Sequence, residues 1–195
     1  MLKGMYSKLP RSIKIKNERF IINTDFRIFI NFEEEMTQGI DTKKAVNNAL
    51  QSFYPAFYLI IQKGLINEAV DKFIWFYKCG KNDEVSKNGK GKTKKESFRY
   101  SCDDLYIWGT YKQLGYDLTK DYIHWWEFRA IWLTIPDNFE FSKIKGYRAY
   151  DGKDKDILEL KEHYKLPPNK KEIQDQIRRN EIYEALKWSL NRKRG

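Results

Sequence analysis

The stretch HWWEFRAIW, His124 to Trp132, crowds three tryptophans, a histidine, a glutamate and an arginine together, and it constrains the fold more than any other segment. Projected at about 100° per residue, Tyr122 to Ile135 is apolar around nearly its whole circumference. Only His124, Glu127 and Thr134 make a narrow polar strip. A helix of that kind belongs in the middle of a core, so the segment predicts a central helix. Trp125, Trp126, Ala130, Trp132 and Leu133 spread over the opposite side and do not form one exposed ladder on which bases could stack. Arg129 falls among them. A buried guanidinium requires an acid, and Asp103, Asp104 and Asp25 are the candidates. His124 and Glu127 sit one turn apart on the polar strip, a spacing expected of a surface contact rather than of an acid/base site.

The rest of the chain supplies helices to surround that one. SIKIKNERFIIN, Ser12 to Asn23, places two β-branched and aromatic runs around the polar turn Asn17-Glu18 and predicts a β-hairpin. TDFRIFINFEEEM fits both a strand and a helix, and Thr24 as N-cap, Asp25 at the start and the Glu33 to Glu35 run favour helix. Ala45, Val46, Ala49, Leu50 and Phe53 form one stripe that stops near Pro55; Ala69, Val70, Phe73, Ile74 and Tyr77 form another that ends at Gly80. Ser101 with Asp104 resembles a capping box for a helix closed by Gly115. Thr119, with Leu118 and Ile123 as a hydrophobic staple, is expected to open the central helix, and Pro136 to end it. A short apolar segment, FEFSKIKGYR, follows, then a helix near Asp156 to Leu166. After Pro167-Pro168, Asn169 caps a last helix with Ile173, Ile177, Ile182, Leu186 and Leu190 at helical spacing. Its stripe is narrow and flanked by charge, which suits contact with a partner or self-association. The fold class predicted is therefore mainly α: a multi-helix domain over 1–166 with an N-terminal β-hairpin, and a C-terminal helical extension over 167–195.

Several functions are disfavoured by what the chain contains. The residues Lys81 to Ser97, KNDEVSKNGKGKTKKES, are nearly devoid of apolar side chains and predict a mobile lysine-rich loop, available to an acidic partner. Gly91-Lys92-Thr93 imitates the end of a phosphate-binding loop, but Ser86 stands where the first glycine is needed and no apolar strand precedes it. With two cysteines, Cys79 and Cys102, and two histidines, His124 and His163, there is no metal-binding spacing. No catalytic, cofactor-binding or metal site is therefore assigned, and the protein is expected not to be an enzyme. A net charge of +10 raises the prospect of nucleic acid, but lysine far outnumbers arginine, a skew that an AT-rich genome also produces. No apolar run approaches the roughly 20 residues that span a bilayer. A soluble, unexported protein is expected.

Five pieces, in order, carry a resemblance: TDFR (Thr24 to Arg27) after the hairpin, FYKCG (Phe76 to Gly80), YDLT (Tyr116 to Thr119), HWWEFRAIW, and GYR (Gly146 to Arg148). Over about Ser12 to Pro167 the chain resembles a family of siphophage proteins encoded immediately before the tape-measure protein in phages and prophages of low-GC Gram-positive bacteria, regarded as tail assembly chaperones. The resemblance implies a non-enzymatic factor of the host cytoplasm, absent from the mature virion, that holds the tape-measure protein and helps recruit tail tube protein. The matched positions read as fold determinants rather than as a site. The alternative is a nucleic-acid-binding or head-to-tail connector protein, favoured if Lys81 to Lys95 and Arg192 to Arg194 gather on one face.

Overall fold

In the computed structural model, which describes residues 9–81 and 96–192, the chain starts with an antiparallel hairpin of β1 (Ser12–Ile15) and β2 (Glu18–Ile21). Alternation buries Ile13, Ile15 and Phe20. The turn falls at Lys16 and Asn17, one residue earlier than the sequence suggests, with Lys16 in the left-handed region at φ 52°. Nine helices follow among the described residues: α1 (Phe26–Thr37), α2 (Thr42–Phe53), α3 (Phe57–Gln62), α4 (Ile66–Tyr77), α5 (Tyr100–Gln113), α6 (Trp125–Leu133), α7 (Glu140–Ala149), α8 (Lys155–His163) and α9 (Lys170–Arg192). The fold is mainly helical with an N-terminal hairpin and a C-terminal helix, as the sequence predicts.

Where capping and periodicity agree, the elements fall as expected. The stripe of α2 buries Ala45, Ala49, Leu50 and Phe53, and the Asp41 carboxylate caps it by accepting from the Lys44 amide at 3.0 Å. The α4 helix buries Ala69, Phe73 and Phe76 and stops through left-handed Cys79 and Gly80, although Ile74 of its predicted stripe stays exposed. The ambiguous TDFRIFINF segment is helical, but Asp25, not Thr24, is its cap. The expected start of α5 at Ser101 is also corrected. Arg99 holds the cap position, and the Asp103 carboxylate accepts its amide at 3.0 Å. Most of the predicted lysine-rich loop, residues 82–95, lies outside the described residues.

Two helices lacked a readable signal. The six-residue α3 lies in an apolar run without helical period, and α7 builds a helix from the segment FEFSKIKGYR, burying Phe141 and Ile144 one turn apart. The core is aromatic. Phe29 of α1 sits at one centre, stacked on Trp125 at 4.7 Å and packed against Phe53, Phe73 and Phe76. Trp132 forms a second centre with Phe98, Tyr100 and Phe141. Phe128 joins the two by lying between Trp125 and Trp132 along one face of α6. That helix is central, but Leu133 on its other side is exposed.

Candidate functional site

The pieces that stand out in the sequence meet one another. Thr24 to Phe26 and Ile123 to Trp125 run side by side as a short antiparallel bridge, with Trp125 N donating to Thr24 O at 2.8 Å and Phe26 N to Ile123 O at 3.1 Å. This bridge starts α1 and α6 together. It also explains why α6 begins at Trp125 rather than at Thr119: the preceding backbone is held extended by α1's entry, and the Thr119 amide is taken by Asp117 at 3.1 Å. Arg27 closes the same corner, pairing with Asp25 at 2.8 Å and donating to Leu118 O at 2.6 Å.

His124 is the N-cap of α6 and is buried, not on a solvent-facing strip. Its Nδ1 accepts from the Trp126 amide at 3.1 Å and its Nε2 lies 3.1 Å from Pro10 O, so the neutral tautomer with hydrogen on Nε2 satisfies both contacts. Burial holds its pKa below the ordinary 6.5, Arg11 adds to the effect, and the Pro10 carbonyl and Glu127 oppose it. Next to it, the indole N–H groups of Trp125 and Trp126 donate to Tyr77 O and Phe76 O, each at 2.8 Å. The two tryptophans thus add donors to the last carbonyls of α4, of which Phe76 O also accepts from the Cys79 amide at 2.9 Å. Gly80 lets Trp126 lie this close: at φ 74°, a Cβ on it would fall 2.9 Å from Trp126 Cη2. HWW and FYKCG are two halves of one joint.

None of Asp103, Asp104 and Asp25 pairs with Arg129. Asp103 is claimed by Arg148, the arginine of GYR, through two bonds at 2.7 and 2.9 Å, and both side chains are buried. Asp25 pairs with Arg27, and Asp104 is exposed and accepts from the Leu105 amide. Arg129 is half-buried with its guanidinium 5.6 Å from the Trp125 ring centroid, and the acid that feels its charge is Glu33 of α1. Glu33 accepts from the Tyr77 hydroxyl at 2.8 Å, yet burial outweighs that bond and the arginine and pushes its pKa up. The half-exposed position of Arg129 removes the need for a direct ion pair, which the apolar reading of its helix had implied.

Outside this joint, α5 is among the helices that leave apolar side chains bare. The α5 helix buries Tyr100, Ile107 and Tyr111 on one side while Leu105 is 75% exposed and Trp108 38% on the other. Leu105, Ile107 and Trp108 line a groove of about 480 Å³ with Ile30 of α1 and Leu118 of the following loop, and Asp104 stands at its edge. Trp108 is held in place by its indole N–H, which donates to Asp117 at 3.4 Å. The lining is mostly apolar, with Tyr100, Asp104 and Thr119 as its hydroxyl- or carboxylate-bearing residues.

A family model described as Bacteriophage Gp15 protein matches residues 5–172. The chain belongs to that family. No curated protein and no solved structure matches the chain significantly. Membership makes this a phage protein, and the matched span takes in the hairpin, the joint, the Asp103–Arg148 pair and the groove.

In this family member, the sequence reading missed Arg148 as Asp103's partner, Glu33 as the acid near Arg129, and the groove. A signal for the groove existed. Leu105 and Trp108 stand three residues apart, off the stripe of Tyr100, Ile107 and Tyr111, so α5 carries two apolar faces where a surface helix needs one.

Proposed function

We propose that this phage protein is a non-enzymatic tail assembly chaperone that binds the tape-measure protein through the α5 groove. It acts in the host cytoplasm, assists addition of tail tube protein, and leaves before the virion is complete. Membership of the Bacteriophage Gp15 protein family supports a phage role. The observation that carries the reading further is the groove with Leu105 and Trp108 on its outer wall. A large exposed apolar surface set in a concave site marks an interaction surface, whereas single exposed apolar residues are ordinary. A tape measure is a very long helical chain with apolar stripes that aggregate unless covered, and a helix laid in a groove covers such a stripe.

The test is co-expression with the neighbouring tape-measure gene, with solubility and pull-down as readouts. Wild type is expected to keep the tape measure soluble and to co-purify with it. Leu105→Asp, a change at an exposed position, is expected to abolish both. A soluble, retained tape measure with Leu105→Asp would remove the groove from the mechanism. Binding to DNA that falls steeply with salt, in place of tape-measure binding, would instead favour a nucleic-acid role.

A further inference from the structure

The protein carries an unoccupied apolar groove and also an unpartnered apolar helix. From Glu172 to Tyr183 every side chain of α9 is exposed, including Ile173, Ile177 at 53%, Ile182 and Tyr183. A helix of this length extends roughly 35 Å at 1.5 Å per residue, and helices in water draw most of their stability from packing an apolar face. Its direction of departure is set by local bonds. Asn169 and Glu172 cap each other reciprocally, each side-chain oxygen accepting the other's amide at 2.8 Å, and Arg99 donates to Pro167 O at 2.9 Å. These bonds set the course of α9, along which Ile173, Ile177 and Ile182 are uncovered.

We propose that α9 of a second copy of this chain docks in the α5 groove, and that the exchange is reciprocal. Ile173 and Ile177, one turn apart, supply an apolar ridge for the groove walls formed by Leu105, Trp108 and Leu118. Asp104 is the charged residue in the groove lining and stands exposed at its edge. Of the exposed charges beside Ile173 and Ile177 (Glu172, Asp175, Arg178, Arg179, Glu181) the two arginines are the ones that complement it, so the docked helix is oriented with Arg178 and Arg179 toward Asp104. Each copy offers one helix and one groove, so two copies related by a twofold axis leave neither uncovered and the assembly closes. On the chaperone reading, on which this last consequence alone rests, a tape-measure helix displaces α9 from the groove.

Sedimentation of the full-length protein over a range of concentrations tests the exchange. Wild type is expected to dimerise. Ile173→Asp with Ile177→Asp, and separately Leu105→Asp, are expected to weaken dimerisation at least tenfold while circular dichroism shows an unchanged fold, since all three positions are exposed. Dimerisation of Leu105→Asp equal to wild type would overturn the proposal by pointing to α9 pairing with α9. A wild type that stays monomeric at about 100 µM would overturn it too, and would leave the chaperone reading standing. Conversely, loss of the dimer in both variants with no effect of Leu105→Asp on tape-measure solubility would support the exchange and remove the groove from the chaperone mechanism.

Discussion

Asp103 and Arg148 are the charged residues on which the fold most depends. Their carboxylate and guanidinium are joined by two bonds with almost no access to water, and Arg148 also donates to Ser97 O and Tyr164 O, so it gathers three stretches of chain around one acid. Removing either partner strands the other in the interior. Asp103→Ala and Arg148→Ala are each expected to cost about 3 to 5 kcal/mol in denaturant unfolding. Arg129→Ala is expected to cost less, because the residue is only half-buried and its guanidinium rests on the Trp125 ring. Equal losses at Arg129 and Arg148 would contradict this ordering. Tyr100 gives a change of the opposite sign. Its hydroxyl is buried and has no partner of good hydrogen-bonding geometry among the described residues, and Arg129 lies close enough to act on it through its charge and as a weak donor. Tyr100→Phe is therefore expected to raise stability by about 1 kcal/mol, as removal of an unsatisfied buried hydroxyl does; a comparable loss would show that Arg129 holds it.

At the scale of elements, α6 shows what a sequence can and cannot disclose. That Trp125, Phe128 and Trp132 fill a core was legible from composition and period, and so was a helix ending before Pro136. Its start was not. A cap is read from side-chain type, and histidine ranks low as a cap; here the role comes from a bridge to Asp25, ninety-nine residues away, by the pairing 25 with 124. The same limit hid the Asp103–Arg148 pair, since charge alone does not say which of several acids an arginine reaches. Gly115 and Gly80, by contrast, announced their helix ends correctly because a left-handed residue is a local requirement. His124 allows the cap to be tested by pH. The unfolded chain takes up its proton near 6.5 and the folded chain only at lower pH, so between the two the unfolded state binds more protons. Its stabilising contribution is complete above pH 6.5 and is lost as pH falls toward the folded pKa. His124→Asn keeps a cap acceptor without the titration and is expected to flatten that part of the stability profile, while His124→Ala is expected to cost about 1 to 2 kcal/mol at neutral pH. An unchanged acid slope in His124→Asn would assign the slope to other groups.

Across the whole molecule, the residues that distinguish the sequence and the residues proposed to face a partner are largely different sets, with Leu118 and Thr119 of YDLT belonging to both. TDFR, FYKCG, HWW and GYR are consumed in the joint between α1, α4 and α6 and in the Arg148 pair, where each answers an internal need. The groove's outer wall, Leu105 and Trp108, and the Ile173 and Ile177 side chains of α9 expose apolar surface that answers no need within one chain. Two classes of variant should therefore separate cleanly. Gly80→Ala introduces a side chain at φ 74° and against the Trp126 ring, so it is expected to destabilise by at least about 1 to 2 kcal/mol, and any loss of tape-measure solubilisation should follow the unfolded fraction and recover on cooling. Leu105→Asp is expected to leave unfolding within about 0.5 kcal/mol of wild type, as exposed changes usually do, yet to lose solubilisation at every temperature. Unfolding curves and tape-measure solubility measured on the same preparations decide the point. A Leu105→Asp protein that fails only where it melts would mean that the groove is part of the fold, and the assignment of a client surface to α5 would fall with it.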